Sequence, residues 1–323
     1  MRSEPQADGR RRRVARLAVM AAVAFVGCTA TTPSSSPVPS ADPTTDKLAQ
    51  VQARGTLVLW TDPAYPPQSF AVEGGTRLAD TGCAPNQMTA PEISGYDAET
   101  GKLVADALGV EPCFIATPFD AMIAGSWGDR WDVAWGSGAI TVDRMERLYV
   151  TQPYYSTPAN FFVKAGSPYK VPEDLSDRRI GACAGCTHEQ YLQRTLQLPG
   201  QTIEFAVDSP EIVTFNTEVP GLEAVVAGDV DAFLCSEPVG LAAIAEGAAL
   251  AEIETAAYFT HKTGYVDRDL TLAPARFLDA VDAAIADLHA TGKLKELSLQ
   301  FFKKDYATTA AAFDLATLDQ PVP

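Results

Sequence analysis

The sequence predicts an α/β fold in two lobes, with mostly parallel sheets and helices on both faces. Short apolar strands alternate with helical segments along most of the chain, and this alternation is typical of parallel sheets covered by helices. The length of 323 residues is enough for two domains or one large one with a real core. No repeat at a solenoid period competes with this interpretation.

The first half of the chain predicts the elements of one lobe. A helix from residue 47 is followed by a turn at Gly55 and a buried strand, and residues 71–94 predict a loop or insertion. A helix then follows Asp97, and a later one has Thr141 as its N-cap. Between these helices we expect the strand PCFIA, the short helix FDAMIAGSW and the strand WDVAWGS.

The second half repeats the pattern. We expect the strands FFVKA, RRIGACA, TIEFAV and VDAFLC, and the helices THEQYLQRTLQL and VPGLEAVVAG. Apolar residues at helical spacing then predict a helix that ends before Gly292 and a last helix through Phe301.

The charge of the chain excludes one class of partner. The net charge is −16, and the first 27 residues contribute six arginines against two acidic residues, a net of +4. The remaining chain therefore carries −20. Such an acidic body repels phosphate backbones, so we expect no nucleic acid partner.

The N-terminus predicts export. Arg10–Arg13 precede the apolar run LAVMAAVAFV, which is too short to span a bilayer but suits a signal peptide. Gly27 and Cys28 follow directly, a pair that suits lipoprotein processing. We predict a signal peptide in residues 1–27, then a lipidated Cys28 and a Ser/Thr/Pro tether in residues 28–46. A secretory signal with Cys28 discarded is the alternative, and Sec and twin-arginine export both stay open.

The six cysteines have different expected fates. An exported chain permits disulfides, and five cysteines remain if Cys28 is lipidated, so at least one is unpaired. Cys83 lies in the predicted loop and Cys113 at the start of a strand. The simplest pairing joins these two and tethers the loop.

The segment IGACAGCTHEQYL places Cys183, Cys186 and His188 close together. A short-loop disulfide between the two cysteines is the favoured interpretation. Pairing of Cys183 with Cys235, free thiols, and a zinc site of all three cysteines with His188 stay open. A thioredoxin-like centre is disfavoured because the short βαβ context is missing.

No catalytic signature is present. The sequence lacks G-x-S-x-G, a Walker loop, G-x-G-x-x-G after a strand and H-E-x-x-H. Besides His188 the chain has only His261 and His289, whose local contexts are typical of structural or surface residues. The residues alone therefore indicate no catalytic site, and we predict no cofactor and no metal.

Two predicted helix starts indicate an anion site. Thr187 and Gln190 match the capping box S/T-x-x-E/Q, and such a helix start presents free N–H groups. Arg144 lies in the first turn of another helix, where a cation opposes the dipole unless it pairs with a bound carboxylate. A surface salt bridge of Arg144 with Asp143 or Glu146 is the alternative.

Five segments together resemble the bacterial extracellular solute-binding proteins of family 3, the polar amino acid receptors of ABC importers. They are RGTLVLWTDPAYPPQSF, ISGYDAETGKLVADALGV, GSGAITVDRMERLYVTQPYYS, KVPEDLSDRRIGACAGCTHEQYL and GDVDAFLCSEPV. Their order and spacing make the resemblance specific, although no single segment is decisive.

The resemblance implies a protein that is not an enzyme, with a two-lobed periplasmic-binding-protein (Venus-flytrap) fold. The ligand would lie in the cleft, and two hinge crossings are expected near Ser156 and near residues 259–264. One lobe would comprise residues 47–155 and 262–323, and the other residues 156–261. Hinge closure would trap a carboxylate-bearing solute and present the closed form, expected as a monomer, to ABC permease subunits. The membrane would be contacted only through the N-terminal lipid.

The resemblance also implies roles for particular residues. Arg144 matches the arginine that binds the ligand's α-carboxylate, and Thr187 matches the threonine that completes this clamp. His188 occupies a position that faces the cleft. The remaining positions that match cleft residues of the first lobe are Asp62, Tyr65, the stacking Phe119 and Ser137.

Two departures from the family concern the ligand's ammonium group. Ala139 stands where Ser or Thr is usual, and Ser236 where Asp is usual. Because a buried ammonium without a counter-charge is costly, either Asp62, Asp120 or Glu237 replaces the anchor, or the ligand lacks the ammonium. We therefore include Ser236 and Glu237 among the candidate ligand residues.

Two other functions stay open: a periplasmic dehydratase-like enzyme on the same fold, and a ligand-binding sensory lipoprotein. A general acid–base pair beside the cleft would favour the first.

Overall fold

The computed structural model describes residues 41–318 and residue 320. The predicted signal peptide, Cys28 and most of the tether lie outside these residues, so those predictions stay predictions. None of the helices within the described part of the chain is long and apolar enough to cross a membrane.

The helices and strands alternate along most of the described chain as the sequence predicts. The helices at residues 237–245 and 307–311 and the long strand at residues 250–267 are additional, and two short strands lie within residues 71–94, which were predicted as a loop. The helices are α1 Lys47–Arg54, α2 Tyr96–Leu108, α3 Phe119–Ile123, α4 Val142–Met145, α5 Thr187–Leu192, α6 Glu218–Ala227, α7 Glu237–Ala245, α8 Ala275–Ala290, α9 Lys293–Phe302 and α10 Ala307–Ala311. The strands are β1 Thr56–Trp60, β2 Ala64–Tyr65, β3 Ser69–Ala71, β4 Met88–Thr89, β5 Ile93–Ser94, β6 Glu111–Ile115, β7 Val133–Ala139, β8 Leu148–Val150, β9 Tyr155–Lys164, β10 Arg179–Cys183, β11 Glu211–Phe215, β12 Ala232–Ser236 and β13 Leu250–Asp267.

The main sheet has two parallel parts joined by two long antiparallel strands. Its order is β11-β10-β12-β9-β13-β7-β1-β6-β4, with β8 also paired to β13. Strand β1 pairs in parallel with β6 and β7, and β10 pairs in parallel with β11 and β12. Strands β9 and β13 pair with each other, with His261 opposite Ser156, and so connect the two parts. This arrangement confirms the two-lobed α/β fold with two crossings.

Each part of the sheet has its own apolar cores. In the part built on β1, Leu59 and Phe114 pack with the helix residues Val104 and Ile285. In the part built on β10, residues such as Phe161 and Leu234 form a separate cluster. Complete burial of one such side chain contributes about 1.5–3 kcal/mol, so both parts have a core that can hold the loops at their shared edge.

The described part of the chain contains two disulfides. Cys83 bonds to Cys113 and ties the loop after β3 to strand β6; closing a loop of 30 residues is worth about 3.5 kcal/mol by the chain-entropy model. Cys183 bonds to Cys186, and Cys235 is a buried free thiol. The competing Cys183–Cys235 pairing is therefore not formed.

Two predictions in the second half are wrong. The helix that begins at Thr187 ends at Leu192 rather than continuing to Leu198. The segment TIEFAV forms no strand, and β11 is formed by residues 211–215 instead. The reason is a side-chain contact: the Tyr191 hydroxyl donates to the Glu204 carbonyl and accepts from the Ala206 N–H, so this segment follows the core without pairing to β10.

Candidate functional site

A cavity lies where β1, β7, β10 and β12 end, at the carboxyl edges of both parts of the sheet. The cavity opens to solvent, and its empty space is about 580 Å³ when the part open to solvent is included. Eight of the nine ligand residues predicted from the sequence line it; the one that does not is Glu237. The lining residues are Trp60, Asp62, Tyr65, Phe119, Gly136, Ser137, Ala139, Arg144, Cys183, Ala184, Cys186, Thr187, His188, Asn216, Thr217, Glu218, Ser236 and Lys262.

Arg144 is a buried cation without an acidic partner in the described residues. Its side chain is 1% exposed, and Nη1 donates to the Ala139 carbonyl and the Tyr265 hydroxyl, both at 3.2 Å. Nη2 donates to the Gly185 carbonyl at 3.2 Å, and Nε has no partner within residues 41–318. The guanidinium also lies over the Phe119 ring, 5.3 Å from its centroid. The predicted surface salt bridge with Asp143 or Glu146 is not formed.

The local sequence places this arginine by an N-cap. The Thr141 side chain accepts from the Arg144 N–H, as predicted, and so fixes the first turn of α4 directly after β7. The neighbouring Asp143 turns outward to Arg147. The guanidinium of Arg144 is thereby left for the cavity.

The turn before α5 differs from the predicted capping box. Cys186, not Thr187, is the N-cap residue, and no side chain caps the helix. The Thr187 hydroxyl instead accepts from Tyr258 at 3.0 Å, and the Gly185 N–H donates to Glu189. Because the Cys183–Cys186 disulfide fixes the turn one residue earlier than the pattern suggests, Thr187 is the first helical residue and faces the cavity.

The predicted zinc alternative can be compared with this geometry. Cys183, Cys186 and His188 are close enough to share a metal ion. In the structure, however, the two sulfurs form a disulfide, and a disulfide sulfur lacks the thiolate charge that zinc requires. The group therefore shapes the turn rather than offering a zinc site in this oxidation state.

Glu237 lies outside the cavity. Both of its carboxylate oxygens accept from Lys304 Nζ at 2.9 Å, and Tyr306 donates to the same carboxylate. Asp120 is exposed and also does not line the cavity. Of the three acids considered as a replacement ammonium anchor, only Asp62 reaches the cavity, and its carboxylate accepts from the Ala64 N–H.

Glu218 is a cavity acid that the sequence reasoning missed. It is the first residue of α6 and is 3% exposed. Its Oε1 lies 3.3 Å from His188 Nδ1, and its Oε2 has no hydrogen-bond partner in the described residues. Burial raises the pKa of Glu218 to about 8, against the lowering effect of Lys262. Burial and the charges of Lys262 and Arg144 hold the pKa of His188 well below 6.5, so the imidazole is neutral.

Lys262 is the second missed residue. It lies on the crossing strand β13, opposite Ala139 of β7 and Tyr155 of β9, and it lines the cavity while only 3% exposed. Burial lowers its pKa to about 8, although Glu218 favours the charged form. Its position at a predicted hinge crossing could have marked Lys262 as a cavity residue. Its sequence context FTHKTG, however, is that of an ordinary polar stretch.

Asp97 supports the cavity wall from behind. Its carboxylate accepts from Ser137 Oγ at 2.6 Å and from the Tyr154 hydroxyl at 3.0 Å. Ser137 has a φ of 59°, a left-handed conformation that a serine adopts only when contacts fix it. Burial raises the pKa of Asp97 to about 7 from its ordinary 3.8.

The free energy of unfolding should therefore decrease as pH rises, because of Asp97. The folded state holds this proton up to pH about 7, whereas the unfolded chain loses it near pH 4, so the stabilising protonation is lost as pH rises between these values. We expect urea unfolding to show that wild type loses about 2.5 kcal/mol more than Asp97→Asn between pH 5 and pH 8. Asp106→Asn, an exposed change on the same helix, is the control and should behave as wild type. Equal losses in all three proteins would contradict this assignment.

The chain can now be compared with known proteins. Residues 57–304 match the family model of bacterial extracellular solute-binding proteins, family 3. The L-cystine-binding protein TcyJ of Escherichia coli strain K12 is 24% identical over 260 residues, which covers 80% of this chain and 86% of that protein. The L-arginine-binding protein of Pseudomonas aeruginosa is 27% identical over 249 residues, 75% of this chain and 86% of that protein.

Solved structures share the fold. Tv2483 bound to L-arginine has a TM-score of 0.68 at 19% identity and covers 84% of this chain and 99% of its own. The ancestral amino acid-binding protein AncCDT-1, described as a precursor of cyclohexadienyl dehydratase, has a TM-score of 0.65 at 22% identity and covers 80% and 100%. At these identities the similarity concerns the two-lobed architecture alone.

Proposed function

Because this chain belongs to the bacterial extracellular solute-binding proteins of family 3, we propose that it captures a small carboxylate-bearing solute, an amino acid or a related compound, for an ABC importer. Two relatives that match most of its length are named for binding L-cystine and L-arginine. A similar structure is described as the substrate-binding protein of an amino acid ABC transporter.

The observation that carries this proposal is the isolated charge of Arg144. A guanidinium that is 1% exposed and has no anionic partner in the described residues is costly unless an anion binds it. A ligand carboxylate matches the planar fork of arginine with two parallel hydrogen bonds. The Phe119 ring beneath the guanidinium offers the adjoining apolar surface for the rest of the ligand.

We assign the other side chains of the cavity to further parts of the ligand. Thr187, Ser137, Asp62 and Tyr65 also line the cavity, and we assign them to polar contacts with the rest of the ligand. Glu218 replaces the ammonium anchor that Ala139 and Ser236 no longer provide, since one of its carboxylate oxygens is unpartnered and a bound ammonium beside it favours the charged form of the carboxyl.

We propose the same cellular arrangement as the sequence suggests. The chain is exported, held at the membrane by a lipid on Cys28, and acts as a monomer that docks on ABC permease subunits after closure. The lobes are residues 47–155 with 262–323, and residues 156–261. Closure bends strands β9 and β13, where the two parts of the sheet connect.

Calorimetric titration of the full chain tests this function. We expect micromolar or tighter binding of at least one carboxylate-bearing amino acid or dicarboxylate, and none of the matching amine that lacks the carboxylate. The same samples, followed by mass spectrometry for hours, should return the solute unchanged, because we propose a binding protein and not an enzyme. Conversion of the solute would favour the dehydratase-like alternative, in which Glu218 beside His188 is the acid.

A further inference from the structure

Lys262 differs from the other fully buried lysine of the described chain. Lys47 is also buried, but its Nζ lies 2.8 Å from Asp132 Oδ1 and 3.4 Å from Asp129 Oδ1. Lys262 Nζ has no carboxylate oxygen of residues 41–318 within 4.0 Å and donates no hydrogen bond to any of them. Lys47 is therefore neutralised by acidic side chains, whereas Lys262 faces an open cavity.

The position of Lys262 makes it part of the ligand site. Strand β13 places it between Ala139 and Tyr155, at the junction of the two parts of the sheet. Ala139 has only a methyl group at the place where the family commonly has a hydroxyl, so the lysine has no neighbouring acceptor there. Its side chain borders the same cavity as Arg144 and Glu218.

No acidic side chain of the described residues pairs with the ammonium group of Lys262. Glu218 lines the cavity with it, but no carboxylate oxygen of Glu218 lies within 4.0 Å of Lys262 Nζ, and Glu218 Oε1 lies 3.3 Å from His188 Nδ1. Asp97 accepts from Ser137 and Tyr154 instead. Arg144 is a second cation of the lining without an acidic partner in the described residues, so the cavity offers two cationic side chains to anionic groups of a ligand.

We propose that Lys262 binds a second anionic group of the ligand, so that the solute carries two carboxylates, as an acidic amino acid or a dicarboxylate does. This inference rests on the proposed function, since it assigns one carboxylate to Arg144. Lys262 is then the residue that determines specificity, because it favours a ligand with a second carboxylate over the amide of the same shape. The amide would leave the ammonium group of Lys262 without a counter-charge.

The first test needs no variant. The full chain is titrated with L-glutamate, L-aspartate, L-cystine and glutarate, and with the single-carboxylate solutes L-glutamine, L-asparagine and L-arginine. We expect an acidic solute to bind at least about tenfold more tightly than its amide. Tighter binding by a single-carboxylate solute than by every two-carboxylate solute would overturn the inference and leave the proposed function intact. Binding by none of the seven would contradict the proposed function, and this inference with it.

The second test removes only the charge. In Lys262→Met, a change of similar size, the affinity for the acidic solute should fall about 30-fold or more, while the affinity for its amide stays unchanged. Lys170→Met, at an exposed lysine, is the control and should keep the wild-type preference. An unchanged ratio of acid to amide affinity in Lys262→Met would refute the role of Lys262.

Discussion

Replacing Arg144 by methionine should weaken ligand binding by at least about 30-fold while the protein keeps its fold. Methionine fills much of the space of the arginine stem but offers no charge and no donors to a carboxylate. Losing a buried, hydrogen-bonded charge pair with the ligand costs about 2–5 kcal/mol, a loss of about 30- to 5,000-fold in affinity. Calorimetry with the tightest-binding solute measures this loss directly.

The stability of the same variant separates binding from folding. In the unliganded protein Arg144 is a buried cation with no acidic partner among the described residues, so its removal should leave the free energy of unfolding unchanged or raise it. Arg147→Met is the matched control, since Arg147 is exposed, only three residues away and paired with Asp143. If Arg144→Met binds as wild type, or if it unfolds, the clamp assigned to Arg144 is wrong.

Local patterns explain one part of what could be predicted of the site. The strands end where small or polar residues follow apolar runs, and parallel strands bring those ends to a shared edge. The Thr141 N-cap is a local contact that fixes the first turn of α4, in which Arg144 lies. Arg144 and Thr187 are the cavity residues that such local patterns indicate. The family resemblance implied the other six that line the cavity, which are Asp62, Tyr65, Phe119, Ser137, His188 and Ser236.

The errors have a different origin, because they depend on distant partners. Glu237 directly follows a predicted ligand position, yet Lys304 and Tyr306 from the C-terminal segment take its carboxylate. The TIEFAV segment has the composition of a strand but is held by the Tyr191 side chain instead.

The two missed residues show the same limit. Glu218 resembles an ordinary acid in the first turn of a helix, and Lys262 resembles a solvated residue of a polar stretch. Only the assembled fold buries both beside one cavity and raises the pKa of Glu218 while lowering that of Lys262. The roles proposed for them rest on their burial without an ion pair between them. The residues next to them in the sequence do not reveal this burial.

Replacing Glu218 by glutamine should remove the preference for a ligand ammonium and leave the carboxylate clamp in place. The change keeps the shape of the side chain but removes the negative charge that would face the ammonium. For an α-amino acid we expect an affinity loss of about 10- to 100-fold, and for the analogue without the amino group no loss. Calorimetry with both solutes on wild type and on Glu218→Gln gives the ratio of the two affinities for each protein. The contribution of the carboxylate, which both solutes carry, cancels from this ratio.

The control for this prediction is Glu223→Gln, at an exposed acid on the same helix. It should bind both solutes as wild type does. A gain for the analogue without the amino group would still agree with the assignment, since glutamine removes a negative charge near the ligand's carboxylates. Equal losses for the amino acid and its analogue would instead show that Glu218 supports the cavity wall through His188, at 3.3 Å, and that the ammonium is held elsewhere, with Asp62 as the remaining acid of the lining.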